Sequence, residues 1–274
     1  MTQTSVRQNC DPKAVAVAEA VYDAVHPVAV ILFGSRARGD HREESDIDLL
    51  VITDDTDEEV DWRPGYVDLC QAAHRSVEEV YGFFLNVDVV TFPKTQFQYY
   101  RRAKNHVTGQ AMRDGVIVTG NPQDFPGELS GEPSNWPDIR VRFIAATRNI
   151  RSMSDLVAAS SPREDIGFHA QQAIENALKA WISALDDEYR NTHDIASLAA
   201  IIRRHPAEID TPAGESLYWL TKYAVEYRYE GARVRLHDPP GLLQTIRELT
   251  DAIAARILQL TGSEPPRWTP PPEE

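Results

Sequence analysis

The stretch that decides the fold is LFGSRARGDHREESDIDLLV, residues 32–51. It leaves an apolar run at Gly34-Ser35, passes through a strongly polar segment, and enters a second apolar run that contains Asp46 and Asp48. Alternate residues of a strand lie on the same face, so the two carboxylates are predicted to be neighbours. Two neighbouring carboxylates repel each other, and one of them tends to take up a proton. A core-like strand that carries both therefore suggests a bound cation.

A divalent metal ion would remove this repulsion. Mg²⁺ prefers oxygen ligands and is commonly held by one or two carboxylates together with substrate phosphates. Asp88, in the later apolar run FFLNVDVVTF, would complete a cluster of three carboxylates. Such a cluster can hold two metal ions, one acting on an attacking hydroxyl and one on the phosphates and the leaving group.

The Gly34-Ser35 turn is the candidate phosphate-binding element. Glycine permits close backbone approach, and exposed N–H groups at a turn or helix start bind phosphate oxygens. Arg36 and Arg38 add positive charge beside it. An isolated Asp-x-Asp could simply mark an exposed strand edge. The succession of strand, Gly-Ser turn, polar segment, Asp-x-Asp and a later strand aspartate favours a site.

The pattern along the chain predicts an α+β protein with a small mixed-sheet domain at residues 13–120. Apolar periodicity predicts helices at 13–25, 66–81 and 95–113 and strands at 28–33, 46–53, 83–92 and 116–119.

A segment rich in Gly, Pro and Ser follows at 121–137 and is predicted to be a linker. Beyond it, no strand pattern occurs, and residues 138–260 are predicted to form an all-α helical bundle. Its helices are expected at 138–158, at 168–185, from Thr192 or Asp194 onwards, at 214–228 and at 241–260. The Pro-rich tail 261–274 is expected to be disordered.

The motif GSRARGDHREESDID resembles the signature of the minimal nucleotidyltransferases of the DNA polymerase β-like superfamily. Gly34, Ser35, Asp46, Asp48 and Asp88 match it position by position. The resemblance implies Mg²⁺-dependent transfer of a nucleotidyl group, AMP from ATP, to an acceptor hydroxyl, with pyrophosphate leaving. It implies that Asp46 and Asp48 hold both metal ions, and that Asp88 is the third ligand and a candidate base.

The phrases FHAQQAIENALKAW, NTHDIASL and YAVEYRYEG resemble HEPN-type helical domains, which often accompany minimal nucleotidyltransferases. Aminoglycoside nucleotidyltransferases have a similar plan, in which a helical domain shapes the acceptor site. The candidates for that site are Glu175, Lys179, His193, Asp194, Glu226 and Arg228. For Glu175 with Lys179 a surface ion pair is the alternative, and for Asp194 a helix N-cap. Domains of this kind commonly pair, which implies a homodimer through the helical domain.

Composition limits the partners. The chain has 274 residues, 42% of them apolar, and a net charge of −14. This charge argues against general nucleic-acid binding, which needs a basic surface, and it favours a cationic acceptor. Two cysteines make no disulfide framework, and no signal peptide or membrane-spanning run is evident, so we expect a cytoplasmic protein.

Two alternatives remain open at this stage. One is a toxin–antitoxin-like protein in which the nucleotidyltransferase modifies a protein tyrosine and the helical domain is a ribonuclease or its remnant. Arg163 and His169 have the spacing of the nuclease motif but lie at a helix start, and Arg101 and His106 have it in the other domain. The other alternative is a binding module that retains the fold without turnover.

Overall fold

The computed structural model describes residues 10–55, 66–120, 135–189, 192–208, 214–226 and 236–271. The chain divides into two compact units, Met1–Glu132 and Pro133–Glu274. We call them the N-terminal and the C-terminal unit.

The N-terminal unit is built on a four-stranded sheet. The strands are β1 (Ala29–Phe33), β2 (Ile47–Thr53), β3 (Val87–Pro93) and β4 (Val116–Thr119). Their order is β3-β2-β1-β4. β2 and β3 are parallel, whereas β1 is antiparallel to both β2 and β4. The mixed sheet predicted from the sequence is therefore confirmed.

In the described part of this unit, five helices accompany the sheet, and they confirm most of the predicted helices. They are α1 (Pro12–Val25), α2 (Gly34–Arg38), α3 (Tyr66–Tyr81), α4 (Lys94–Tyr100) and α5 (Val107–Asp114). The single helix predicted at 95–113 is two helices, because the chain turns after Tyr100 and His106 caps the start of α5. The predicted third strand also begins late, since residues 83–86 lie outside β3.

The two faces of the sheet are covered differently. Val30, Leu32, Leu49 and Val51 pack against α1 and α3. The opposite face, with Ala29, Ile31, Leu50 and Ile52, packs against Phe97 of α4 and Ala111 of α5. Since side chains alternate along a strand, Asp48 and Asp88 belong to this second face.

The described part of the C-terminal unit is helical. It contains α6 (Trp136–Ala158), α7 (Arg163–Ala184), α8 (Ile195–Ile202), α9 (Thr221–Glu226) and α10 (Pro239–Thr261), with 3₁₀ helices at Pro206–Glu208 and Glu215–Leu220. α6 and α7 begin earlier than predicted. The start of α6 lies inside the predicted linker because Trp136 is buried and Pro137 is tolerated in the first helical turn. Most of the linker, 121–134, falls outside the described residues.

The Pro-rich tail departs from its prediction. Through residue 271 it is described and packs on the helices. The Trp268 amide donates to Thr147 Oγ1 at 2.8 Å, and the Arg267 guanidinium lies 2.8 Å from Asp251 and 5.8 Å from the centre of the Phe143 ring. The predicted disorder is therefore wrong for the described residues of the tail, because composition does not reveal these contacts with α6 and α10. Among the helices of these described ranges, none combines the length and apolarity that crossing a membrane would require.

Truncation after Ser263 tests the role of the tail. It removes the Arg267 cation–π contact and the Trp268 hydrogen bond, together about 1–2 kcal/mol of stability. We expect the melting temperature of the C-terminal unit to fall by a few degrees, as measured by scanning calorimetry. Truncation after Pro271, which leaves these contacts intact, is the control. Equal melting temperatures of the two truncated proteins would contradict the packing.

Candidate active site

The parallel pairing of β2 and β3 brings two of the three predicted acids together. Asp48 lies opposite Asp88 in the register, and neighbouring strands are about 4.8 Å apart. On its other side Asp48 lies opposite Phe33, the last residue of β1. Asp46 is exposed and directly precedes β2. All three acids therefore lie at the starts of adjacent parallel strands.

Electrostatic repulsion couples the three carboxylates. Burial, followed by the negative charges of Asp88 and Asp46, raises the pKa of Asp48 to about 6, while Arg38 acts in the opposite direction. This is the conflict expected of carboxylates that share a site. A pKa perturbed by burial and by specific charged neighbours is also typical of functional sites.

Gly34 is the point of closest approach between the turn and the acids. Its φ is +72°, in the left-handed region, and a Cβ there would lie 1.9 Å from Asp48 Oδ2. Only glycine fits this position without strain or collision. Ser35 follows in the first turn of the short helix α2 and is half-buried. The Gly-Ser backbone thus lies directly against the acid of β2.

The structure corrects the expectation that Arg36 binds phosphate. Its side chain is 2% exposed, and its guanidinium donates to Asp11 Oδ2 at 2.5 Å, to the Glu43 carbonyl at 2.8 Å and to the Ser45 carbonyl at 2.7 Å. These internal partners occupy its donors. Arg38, by contrast, is exposed and lies 3.2 Å from Asp40, and its charge acts on Asp48. Of the two arginines, Arg38 remains the candidate phosphate ligand.

The donor chemistry of the acids fits a divalent metal ion. Three carboxylates converge on one end of the sheet, and burial together with their mutual repulsion raises the pKa of Asp48, a cost that a cation would relieve. Their side chains are not already closed around a common point: in the described part of the chain, no three His, Cys, Asp or Glu residues form a ready metal-binding group. Asp88 Oδ1 instead accepts a hydrogen bond from Asn86 Nδ2 at 3.0 Å.

In the C-terminal unit, two of the predicted acceptor residues are internal. Glu175 and Lys179 are each 3% exposed, and Lys179 Nζ donates to Glu175 Oε1 at 2.6 Å. Gln171 also donates to Glu175, and His193 Nδ1 lies 3.1 Å from it. Burial opposes ionisation of Glu175, but Lys179, Gln171 and His193 together lower its pKa. We therefore correct both the acceptor-site expectation and the surface ion-pair alternative for Glu175 and Lys179.

The remaining acceptor candidates have different positions. His193 keeps a side chain that is 42% exposed. Asp194 is the N-cap of α8 and accepts hydrogen bonds from the amides of Ala196 and Ser197, which supports the capping interpretation. Glu226 ends α9 but its side chain lies outside the described part, as does all of Arg228.

A second buried polar group, not anticipated from the sequence, joins α6 to the end of α7. Asp138 is 1% exposed and accepts hydrogen bonds from Ser183 Oγ at 2.5 Å and from Tyr189 OH at 3.1 Å. Arg142 Nε donates to Tyr189 OH at 2.9 Å, and Lys179 Nζ lies 5.4 Å from the centre of the same ring. Burial raises the pKa of Asp138 against the opposing influence of Arg142. The i, i+4 spacing of Asp138 and Arg142 was the only sequence signal, and it also occurs on exposed helix surfaces.

Arg163 and His169, which have the spacing of the nuclease motif, contact different partners. Arg163 donates to the Leu236 carbonyl, whereas His169 Nδ1 lies 2.8 Å from Asn149 Oδ1. Both residues belong to α7, and six residues at 3.6 per turn separate their directions by about 120°. Burial lowers the pKa of His169.

Replacement of Asp48 by Asn tests the cost of ionising Asp48 beside the other two carboxylates. The pKa of Asp48 rises from 3.8 to about 6, so ionised Asp48 costs stability that is absent below pH 3.8, grows between these values and is complete above pH 6. We expect Asp48→Asn to raise the melting temperature at pH 7.5 without metal, and to give little gain at pH 4. Asp23→Asn, at an exposed position of α1, is the control. A variant no more stable than wild type at pH 7.5 would contradict the coupling.

Replacement of Lys179 by Met tests the buried ion pair. It leaves the Glu175 carboxylate with one partner fewer, and breaking a buried pair costs about 3–5 kcal/mol. Denaturant unfolding should show this loss, and it should be smaller in the double variant Glu175→Gln/Lys179→Met. Lys222→Met, at an exposed position, is the matched control. If the loss of unfolding free energy in the double variant equals the sum of the losses from Glu175→Gln and Lys179→Met, the pair is not coupled.

Comparison with protein-family models finds one match in each of the two units. Residues 16–109 match the model of the nucleotidyltransferase domain family, and residues 141–260 match that of the HEPN domain family. Among solved structures, the chain is similar to the spectinomycin adenyltransferase AAD(9) from Enterococcus faecialis, determined with ATP and spectinomycin. The identity is 12% and the TM-score 0.34, over 92% of this chain and 98% of that one. No curated protein matches the chain. The chain thus joins a nucleotidyltransferase domain to a HEPN domain.

Proposed function

We propose that this protein is an enzyme that transfers a nucleotidyl group, AMP from ATP, to a hydroxyl group of a small acceptor, with pyrophosphate as the second product. The observation that carries the proposal is the position of Asp48. It lies against the Gly34 turn, opposite Asp88 and next to Asp46, and its pKa is raised by burial and by the charges of both acids. The match of residues 16–109 to the nucleotidyltransferase domain supports the same reaction class.

Each residue of the proposed site has a role that follows from its chemistry. Asp46, Asp48 and Asp88 would hold Mg²⁺, which when bound supplies positive charge against the triphosphate and lowers the pKa of the acceptor hydroxyl. Gly34 and Ser35 would present backbone and hydroxyl donors to phosphate oxygens, because no Cβ at Gly34 intervenes. Arg38, exposed beside Asp48, would pair with a phosphate oxygen. Asp88, exposed at the start of β3, is the candidate base for the acceptor proton.

The acceptor is proposed to be a hydroxyl compound that also carries positive charge. The net charge of −14 favours cationic over anionic molecules near the protein. Of the acceptor residues expected in the HEPN domain, His193 has an exposed side chain and is kept as a candidate, together with Glu226 and Arg228. Glu175 and Lys179 are left out because they bind each other.

A transfer assay with labelled nucleotides tests the reaction. The protein is incubated with each of the four NTPs labelled at the α-phosphate, Mg²⁺, and a panel of cationic and neutral hydroxyl compounds, and labelled product and pyrophosphate are quantified. We expect transfer from ATP, abolished by chelation of Mg²⁺. Asp48→Asn and Asp88→Asn should each lower kcat by about 10²-fold or more, since each removes a charge needed in the transition state.

Asp23→Asn should retain wild-type transfer and serves as the control. Full activity of Asp48→Asn would reject the site. Binding of ATP with no pyrophosphate release for any acceptor would instead favour the binding-module alternative. The separate partners of Arg163 and His169 do not favour the ribonuclease alternative.

A further inference from the structure

The buried guanidinium of Arg36 lies where three segments of the nucleotidyltransferase domain meet. Arg36 itself belongs to α2, the helix that starts with Gly34 and Ser35. Its Nε and second amino group donate to the Ser45 carbonyl at 2.9 and 2.7 Å, directly before Asp46. The guanidinium carbon also lies 5.1 Å from the centre of the Tyr81 ring, at the end of α3. α2 starts with the Gly34-Ser35 turn, Ser45 directly precedes Asp46, and α3 is followed by β3, which carries Asp88.

Asp11 completes this arrangement from outside the matched nucleotidyltransferase region, which begins at residue 16. Its Oδ1 accepts from the Lys13 amide at 3.0 Å and caps α1, while Oδ2 binds Arg36 at 2.5 Å. Its backbone amide donates to the Arg36 carbonyl at 2.9 Å. The side chain of Asp11 is 9% exposed. One carboxylate therefore both starts a helix and neutralises the buried guanidinium.

Tyr81 links the same carboxylate to the third segment. Its hydroxyl donates to Asp11 Oδ2 at 2.6 Å and lies 3.3 Å from the nearest Arg36 nitrogen. Burial and the hydrogen bond to Asp11 raise the pKa of Tyr81, so the hydroxyl stays protonated and donates. Five residues later the Asn86 carbonyl accepts from the Ile47 amide at 3.0 Å, which fixes the entry to β3 against the entry to β2.

We propose that Asp11 and Tyr81 are positioning residues of the active site. With Arg36 they form a clamp, the Asp11–Arg36–Tyr81 clamp, which holds residues 39–46 so that Asp46 and Asp48 stay close to the Gly34 turn and to Asp88. None of the three is among the residues proposed to hold the metal ion or the nucleotide. The clamp acts by ordering the polar segment, because Arg36 adds hydrogen bonds to the Glu43 and Ser45 carbonyls to the few that the segment makes with itself and with Ser35.

The clamp makes a local prediction that does not depend on catalysis. The amides of Gly39 and Asp40 donate to the Ser35 carbonyl of α2, the Ser45 amide donates to the Arg42 carbonyl, and the Arg42 amide donates to Ser45 Oγ. Hydrogen exchange at these four amides therefore reports the order of the segment. Tyr81→Phe keeps the ring over Arg36 and removes one hydrogen bond; exchange at these amides should become about tenfold faster. Asp11→Asn keeps a good N-cap residue but removes the charge, and it should act in the same direction and more strongly.

A second readout rests on the proposed function. In the transfer assay, both variants should raise the KM for Mg·ATP about three- to tenfold, because the binding-competent loop is less populated. A merely structural role would reduce the amount of folded enzyme, which lowers kcat and leaves KM unchanged. Tyr22→Phe is the matched control, because Tyr22 of α1 and Tyr81 pack against the same hydrophobic cluster between the sheet and helices α1 and α3. This substitution should alter neither readout.

The outcomes separate the clamp from the reaction. Faster exchange confined to the four amides supports the clamp even if wild-type protein transfers nothing, in which case only the proposed function fails. Unchanged exchange in folded Tyr81→Phe overturns the clamp. Exchange that accelerates equally throughout α1 and α3 also overturns it, because the effect is then global destabilisation. If Asp11→Asn does not fold, Tyr81→Phe decides alone.

Discussion

The proposed site depends on one buried positive charge, the guanidinium of Arg36. A guanidinium that is 2% exposed must have partners for its charge and its donors, since an unpaired buried charge is far too costly. Arg36 finds them on Asp11, on two carbonyls of the polar segment and on the face of Tyr81. These partners come from separate parts of the chain. The ion pair and the hydrogen bonds of the Arg36 side chain therefore fix the positions of all of them. The turn, the entry to β2 and the end of α3 are thereby held in one arrangement.

That arrangement brings together groups that repel one another. Asp48 is partly buried between two other carboxylates, and its raised pKa measures the cost. A structural element selected for stability alone would not retain this cluster, because an amide or apolar side chain would avoid the repulsion. The combination of a rigid support and an electrostatically unfavourable centre is characteristic of sites that are completed by a bound cation and an anionic substrate.

The HEPN domain shows the opposite arrangement of charge. Glu175, Lys179, Asp138 and Arg142 belong to a buried group in which each charge has an opposite charge or a hydrogen-bond donor nearby. Such groups stabilise little relative to apolar packing but are costly to disrupt. Here they join α6 and α7 to Tyr189 and His193, so the positions of these two residues depend on them. These four charges are balanced by charges of the opposite sign, whereas Asp48 lies beside the like charges of Asp46 and Asp88.

The sequence by itself determined the α+β class, the four strands and most helices, and it predicted the three acids, because periodicity and motif spacing are local properties of the chain. Only the tertiary structure decided which charged side chains are exposed and which are buried among internal partners. Arg36 and Arg38 are neighbours of the same type, yet one is buried among internal partners and the other is exposed. Glu175 and Lys179 look like a surface pair and are buried, and the tail packs despite its composition. The physical reason is that desolvation and pairing depend on distant segments such as Asp11 and Tyr81, whose proximity to Arg36 no local pattern encodes.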